Sequence, residues 1–259
     1  MSERRVDGSA GDADYGTIGT GYTDYRKPDQ RIAALLSEAL DGARTVVNVG
    51  AGAGSYESVA PEVTAVEPSA SMRAQRPAHL PPAVDAVAEN LPFRDDEFDA
   101  AMTTFSVHQW SDLKAGLIEM RRVARGPVAV LTCDPALVRD FWLYEYAPLV
   151  LDTEARRYPA IQDITEALGG RTTVRPVPIP ADCTDGFNEA YYARPERLLD
   201  PGARQACSAW SFVEPAVSEQ YTELLRRDLA SGAWDARHGD LRRRPYLHGS
   251  LVLIRALPA

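Results

Sequence analysis

Apolar and polar residues alternate along this chain with two different periods. Over Asp29–Ala43, residues Ile32, Leu35, Leu36, Ala39 and Leu40 recur at helical spacing, with Asp29 placed to cap the first turn. Thr45–Val49 is a β-branched run that ends in glycines, the pattern of a strand buried on both faces. The alternation continues. Val63–Glu67, Ala83–Val87, Phe98–Thr104, Pro127–Asp134, Arg171–Val177 and Ser250–Leu257 read as strands. Ser69–Gln75, Asp112–Arg125 and Pro159–Leu168 read as helices, the last stopped by Gly169 and Gly170. Strand–helix alternation of this kind predicts an α/β fold: a doubly wound, mostly parallel sheet of seven strands with helices on both faces.

Two stretches break the alternation, 135–158 and 180–245. Both read as largely helical; in Pro215–Leu229, Val217, Tyr221, Leu224 and Leu225 share one face. Together they predict a helical cap inserted over the carboxyl ends of the strands. The remaining division is a disordered tail over 1–13, an arm over 14–28, a core over 29–134, and the rest of the sheet in 159–179 and 246–259.

Composition narrows the function. The 259 residues carry a net charge of −9, which argues against nucleic acid as a partner. Three cysteines without CxxC spacing suit a reducing compartment, and the four scattered histidines offer no metal-ligand spacing. Neither a signal peptide nor a membrane-spanning run is present, so a cytoplasmic protein, monomer or homodimer, is expected.

The strongest chemical signal is VVNVGAGAGSY, Val46–Tyr56. A buried strand runs into Gly50, Gly52 and Gly54, where the backbone can turn sharply and approach a ligand. Glu67 closes the next strand, where an acid can accept both hydroxyls of a ribose. Dinucleotides and S-adenosylmethionine both fit these two features. A dinucleotide turn needs GxGxxG and a helix end to hold the pyrophosphate. Here Ser55 replaces the third glycine and the following helix is stunted.

Two further segments, AENLPFRDDEFDAAM (Ala88–Met102) and TTFSVHQW, complete a resemblance to the class I S-adenosylmethionine-dependent methyltransferases. The branch that includes the trans-aconitate and malonyl-carrier-protein O-methyltransferases is the one most resembled, clearly over Tyr22–Asp134. The resemblance implies a Rossmann-like core with S-adenosylmethionine as cofactor. It implies that Gly50, Ala51 and Gly52 hold the methionine portion and that Glu67 binds the ribose. Pro68 and Met72 would lie on the adenine, with Ala88 and Glu89 at its edge. Thr104 and Phe105 would sit beneath the methionine chain. Tyr22 and Arg26 would close the arm over the cofactor, Arg26 pairing with its carboxylate.

Two positions depart from the family pattern. Asn48 stands where an acid usually precedes the glycines, and Val87 where a polar residue often precedes Ala88. His108 follows the fourth predicted strand at the carboxyl edge of the sheet, and is the candidate base for an acceptor that must lose a proton. Twelve of the 21 aromatic residues fall in the cap, which predicts an apolar pocket for a small-molecule acceptor. Trp142, Tyr146, Tyr191 and Tyr192 are its expected walls. The expected activity is methyl transfer to a small molecule, in secondary metabolism. The alternatives are a cofactor-binding protein that transfers no methyl group and an NAD(P)-dependent oxidoreductase.

Overall fold

The computed structural model describes residues 21–258, so the expected tail and the start of the arm lie outside the described residues. The described chain opens with a short helix, α1 (Tyr22–Tyr25), and then α2 (Gln30–Ala39). Asp29 caps α2, its carboxylate accepting from the Arg31 amide. Strand β1 (Thr45–Val49) follows, and β2 (Glu62–Val66) lies beside it. Helix α3 (Ala70–Ala74), capped by Ser69, leads into a long irregular stretch before β3 (Ala100–Thr104). Helix α4 (Leu113–Val123) is capped by Asp112 and returns the chain to β4 (Val128–Cys133).

Beyond β4 come α5 (Pro148–Arg157), α6 (Ile161–Leu168) and strand β5 (Arg171–Pro176). The two-residue strands β6 (Ile179–Pro180) and β7 (Tyr246–Leu247) form a small ribbon outside the main sheet. Between them lie helices α7 (Pro201–Gln205), α8 (Pro215–Ser231) and α9 (Ala233–His238), joined by short 3₁₀ turns. Strand β8 (Leu251–Leu257) closes the sheet.

The main sheet has the order β2-β1-β3-β4-β8-β5. The first four strands are parallel, and β8 runs antiparallel between β4 and β5. The mostly parallel, doubly wound architecture therefore holds, with six strands in place of seven. The missing strand is Ala83–Val87. Val84 alone bridges to Val66. Its amide donates to Ala65 and its carbonyl accepts from Glu67, after which Ala86 folds back onto the same carbonyl. Pro81 and Pro82 offer no amide to extend the ladder in the other direction.

Successive residues of β1 and β4 serve opposite faces. Val46, Ala129 and Leu131 pack with Ile32 and Leu36 of α2, while Val47, Val128 and Val130 pack with Leu117 and Met120 of α4 and Ile164 of α6. The cap rings join the first of these faces: Trp142, Tyr146, Tyr192, Trp210 and Trp234 belong to the same continuous apolar cluster as Ala100 and Met102 of β3. The cap thus has no core of its own.

One buried acid ties the cap to β8. The Glu189 carboxylate accepts from the amide and the hydroxyl of Ser250. Burial pushes its pKa up to about 7. The folded state therefore holds this proton at pH values where the unfolded chain has lost it. Stability from this group is complete below the ordinary carboxylate range and declines as pH rises through about 7. Urea unfolding at pH 5 and pH 8 should show Glu189→Gln gaining about 3 kcal/mol on the parent as pH rises. A difference independent of pH would contradict this account.

Candidate functional site

The carboxyl ends of β1, β2 and β3 meet at one edge of the sheet, and the chain leaves each of them in a special conformation. After β1, Gly50 and Gly52 have φ of 71° and 53°. The amides of Gly50 and Ala51 both donate to the Val66 carbonyl at 2.9 Å, which fastens the loop to β2. A Cβ on Gly50 would stand 1.8 Å from Ser106 Oγ, so only glycine fits that turn.

Glu67, buried directly after β2, is fixed at both oxygens. Oε2 accepts from the Gly52 amide and Oε1 from the Ser69 amide, each at 2.8 Å. After β3, Phe105 takes a φ of 51°, an unusual conformation for a bulky residue, while its amide stays bonded to Leu131 of β4. This turn directs the next residues back under the glycine loop, where Ser106 accepts from Trp110 Nε1 at 3.0 Å.

The arm closes the edge. Arg26 Nε donates to Asp185 Oδ1 at 2.5 Å, and Tyr56 Oη donates to Asp185 Oδ2 at 2.9 Å. The Gly186 amide donates to the Tyr25 carbonyl at 2.9 Å, so arm and cap are bonded through backbone as well. The Arg26 guanidinium lies 4.9 Å from the Phe105 ring centroid and 5.5 Å from that of Tyr22.

These elements border a cavity of about 860 Å³ that opens to solvent. Tyr22, Arg26, Gly50, Ala51, Gly52, Glu67, Pro68, Met72, Ala88, Glu89, Thr104 and Phe105 all line it. Ser106, Gln109, Trp110 and Asp185 line it too, and sequence reading did not single them out. The Glu89 carboxylate is engaged elsewhere, accepting from Ser111 Oγ and the Asp112 amide at the start of α4.

A second cavity, of about 490 Å³, adjoins the first. Tyr22, Arg26 and Phe105 line both. His108 lines the second, its ring 4.6 Å from that of Tyr158, together with Glu154, Arg157, Phe187, Asn188, Cys207 and Ser208. Trp210 Nε1 donates to Asn188 Oδ1, and Asn188 Nδ2 donates to Glu154 Oε2 at 2.8 Å. Burial pushes the Glu154 carboxyl above the usual carboxylate range and the Tyr158 hydroxyl well above the usual phenol range.

The expected acceptor walls are elsewhere. Trp142, Tyr146, Tyr191 and Tyr192 line neither cavity. Trp142 stands edge-on to Tyr146 and Trp234, and its Nε1 donates to the Tyr192 carbonyl. Tyr192 is fully buried and bonds the Arg244 carbonyl; Tyr191 packs against Gly186. Short helices and 3₁₀ turns bury little surface each, so the cap uses large rings to anchor itself. The second cavity is lined largely by polar groups, so these rings give it no apolar wall.

Residues 47–128 match the model of the methyltransferase domain family. A chain described as a candidate methyltransferase from an antibiotic biosynthesis pathway of Anabaena variabilis is 30% identical, with a TM-score of 0.82, over 90% of this chain and 98% of that one. The chain belongs to the class I S-adenosylmethionine-dependent methyltransferases. A second relative, the uncharacterized protein YafE of Escherichia coli K12, is 32% identical over 82 residues, which is 40% of its length. The [4+2]-cyclase SpnF shares the fold alone, at 16% identity and a TM-score of 0.52 over 95% of this chain. The trans-aconitate branch is not singled out among these relatives.

The family's cofactor suits the larger cavity on three local grounds. The Gly50 turn puts bare backbone in the cavity wall, Glu67 presents an oriented carboxylate, and the lining combines apolar faces (Pro68, Met72) with charged groups (Arg26, Asp185). Among the described residues no cluster of metal-ligating side chains is found, and no helix is long and apolar enough to cross a membrane.

Proposed function

We propose that this protein transfers a methyl group from S-adenosylmethionine to a small polar molecule held in the second cavity. One observation carries this reading: the two cavities share the walls Tyr22, Arg26 and Phe105, so a donor in one faces an acceptor in the other. The Anabaena relative's description supports a role in natural-product synthesis.

Glu67 would bind the ribose hydroxyls, and Gly50, Ala51 and Gly52 would hold the methionine portion through their backbone. Pro68, Met72 and Ala88 would enclose the adenine. Bound S-adenosylmethionine supplies a methyl group on a sulfonium, which is already a good leaving group. The protein's main task is therefore alignment of the acceptor atom. The polar lining favours an acceptor with a hydroxyl or amine, and His108 is placed in that cavity to take its proton.

Calorimetric titration with S-adenosylhomocysteine and with NADH tests the cofactor assignment. Binding of the first and not the second is expected; tighter binding of NADH would overturn it. For the base, S-adenosylhomocysteine release can be followed across a panel of hydroxylated and amine acceptors. With a turned-over acceptor, His108→Ala should lower kcat by about 10²-fold near pH 7. An unchanged rate from pH 6 to 9 would remove His108 from that role. Binding of S-adenosylhomocysteine with no turnover of any acceptor would favour a protein that uses the cofactor without methylating.

A further inference from the structure

Asn48 occupies the position of the usual acid at the end of β1, and it does not reach the larger cavity. Its side chain is fully buried, and Nδ2 points to Glu57 Oε1 at 3.4 Å. A carboxylate of the same kind enters the cavity from the other end of the sequence. Asp185, in the loop after β6, lines it while remaining 2% exposed. We propose that Asp185 binds the α-ammonium group of the cofactor's methionine portion, in place of the acid that Asn48 has replaced. The inference rests on the cofactor reading given above.

Three features support the assignment. Arg26 and Asp185 form a buried pair of opposite charges inside the cavity. The amino-acid end of S-adenosylmethionine is itself a pair of opposite charges on one carbon. Set against each other, the carboxylate meets Arg26 and the ammonium meets Asp185, so each buried charge gains a second partner. Next, the Asp185 carboxylate has capacity left. Its bonds from Arg26 and Tyr56 use one acceptor site on each oxygen, and a carboxylate offers about four. Finally, the orientation of that carboxylate is built in. Tyr56 adopts a φ of 62°, unusual for a tyrosine, and its buried ring delivers the hydroxyl to Asp185.

The test is a set of calorimetric titrations with three compounds. They are S-adenosylhomocysteine, its analogue in which hydrogen replaces the α-amino group, and 5′-methylthioadenosine, which lacks the amino-acid end. The parent protein should bind S-adenosylhomocysteine at least about tenfold more tightly than the deaminated analogue, the worth of one charge-assisted hydrogen bond. Asp185→Asn should weaken S-adenosylhomocysteine by a similar factor, about tenfold or more, and bring it level with the deaminated analogue. Binding of 5′-methylthioadenosine should stay within about threefold, because the nucleoside contacts are untouched.

Equal binding of S-adenosylhomocysteine and the deaminated analogue by the parent protein would overturn the proposal, and that comparison needs no variant to fold. Equal weakening of S-adenosylhomocysteine and 5′-methylthioadenosine by Asp185→Asn would also overturn it, by marking the residue as a general support of the cavity. A parent protein that bound none of the three compounds would remove the cofactor reading itself, and the proposal with it.

Discussion

Titration of a Glu67→Ala variant with S-adenosylhomocysteine is expected to give an affinity about 10²-fold below that of the parent protein, or roughly 3 kcal/mol. The size follows from how the carboxylate is held. Both oxygens are already fixed by backbone amides, of Gly52 and of Ser69, so no side-chain ordering is left to be done on binding. Alanine removes both charge-assisted bonds to the ribose hydroxyls together. Alanine also leaves the Gly52 amide without its acceptor, in the loop that would cradle the methionine portion. An affinity within threefold of the parent would place the ribose elsewhere. Glu67→Gln is the milder companion: it keeps the shape and loses the charge, so an intermediate affinity is expected.

The second large effect concerns stability. Arg76 and Glu57 form a bidentate pair with bonds of 2.8 and 2.7 Å, and their side chains are 4% and 2% exposed. Arg76→Leu should lower the unfolding free energy by about 3–5 kcal/mol, because Glu57 is left as an uncompensated buried charge. The double variant Arg76→Leu, Glu57→Leu should recover most of that loss, since two apolar side chains of similar size remove both charges together. Urea unfolding of the parent, both singles and the double measures the cycle. A single-variant loss below about 1 kcal/mol would mean that water reaches the pair. The pair also bears on the site. A Cβ on Gly54 would lie 3.2 Å from Arg76 Nη1, so the glycine loop rests directly on this guanidinium.

What could be read from the sequence was what lies close along it. The glycine turn and Glu67 belong to one strand–loop–strand unit, and their spacing carries the geometry without help from the rest of the chain. Helix starts were legible for the same reason: Asp29, Ser69 and Asp112 each cap the helix that follows. Asp185, Glu154 and Asn188 were not legible. More than 100 residues separate Asp185 from the glycine loop, and only packing of the cap brings it there. Its one sequence signal was indirect, the absence of an acid at Asn48.

Two differences between sequence and structure have distinct physical origins. Ala83–Val87 has the composition of a strand, but its pairing is decided by Pro81, Pro82 and the reversal at Ala86, which composition does not report. Aromatic enrichment in a cap has two causes, a ligand pocket or the packing of the cap itself, and a sequence does not separate them. Trp142 and Tyr192 anchor the cap, while the second cavity draws its character from His108, Glu154 and Asn188.

The apolar cluster that runs unbroken from β3 through Trp142 to Trp234 has a consequence for how the cap can change. A lid with its own interior can be traded whole between relatives. Here such a transplant would tear the interior in two, so change in the cap has to come one residue at a time, while the aromatic framework stays in place.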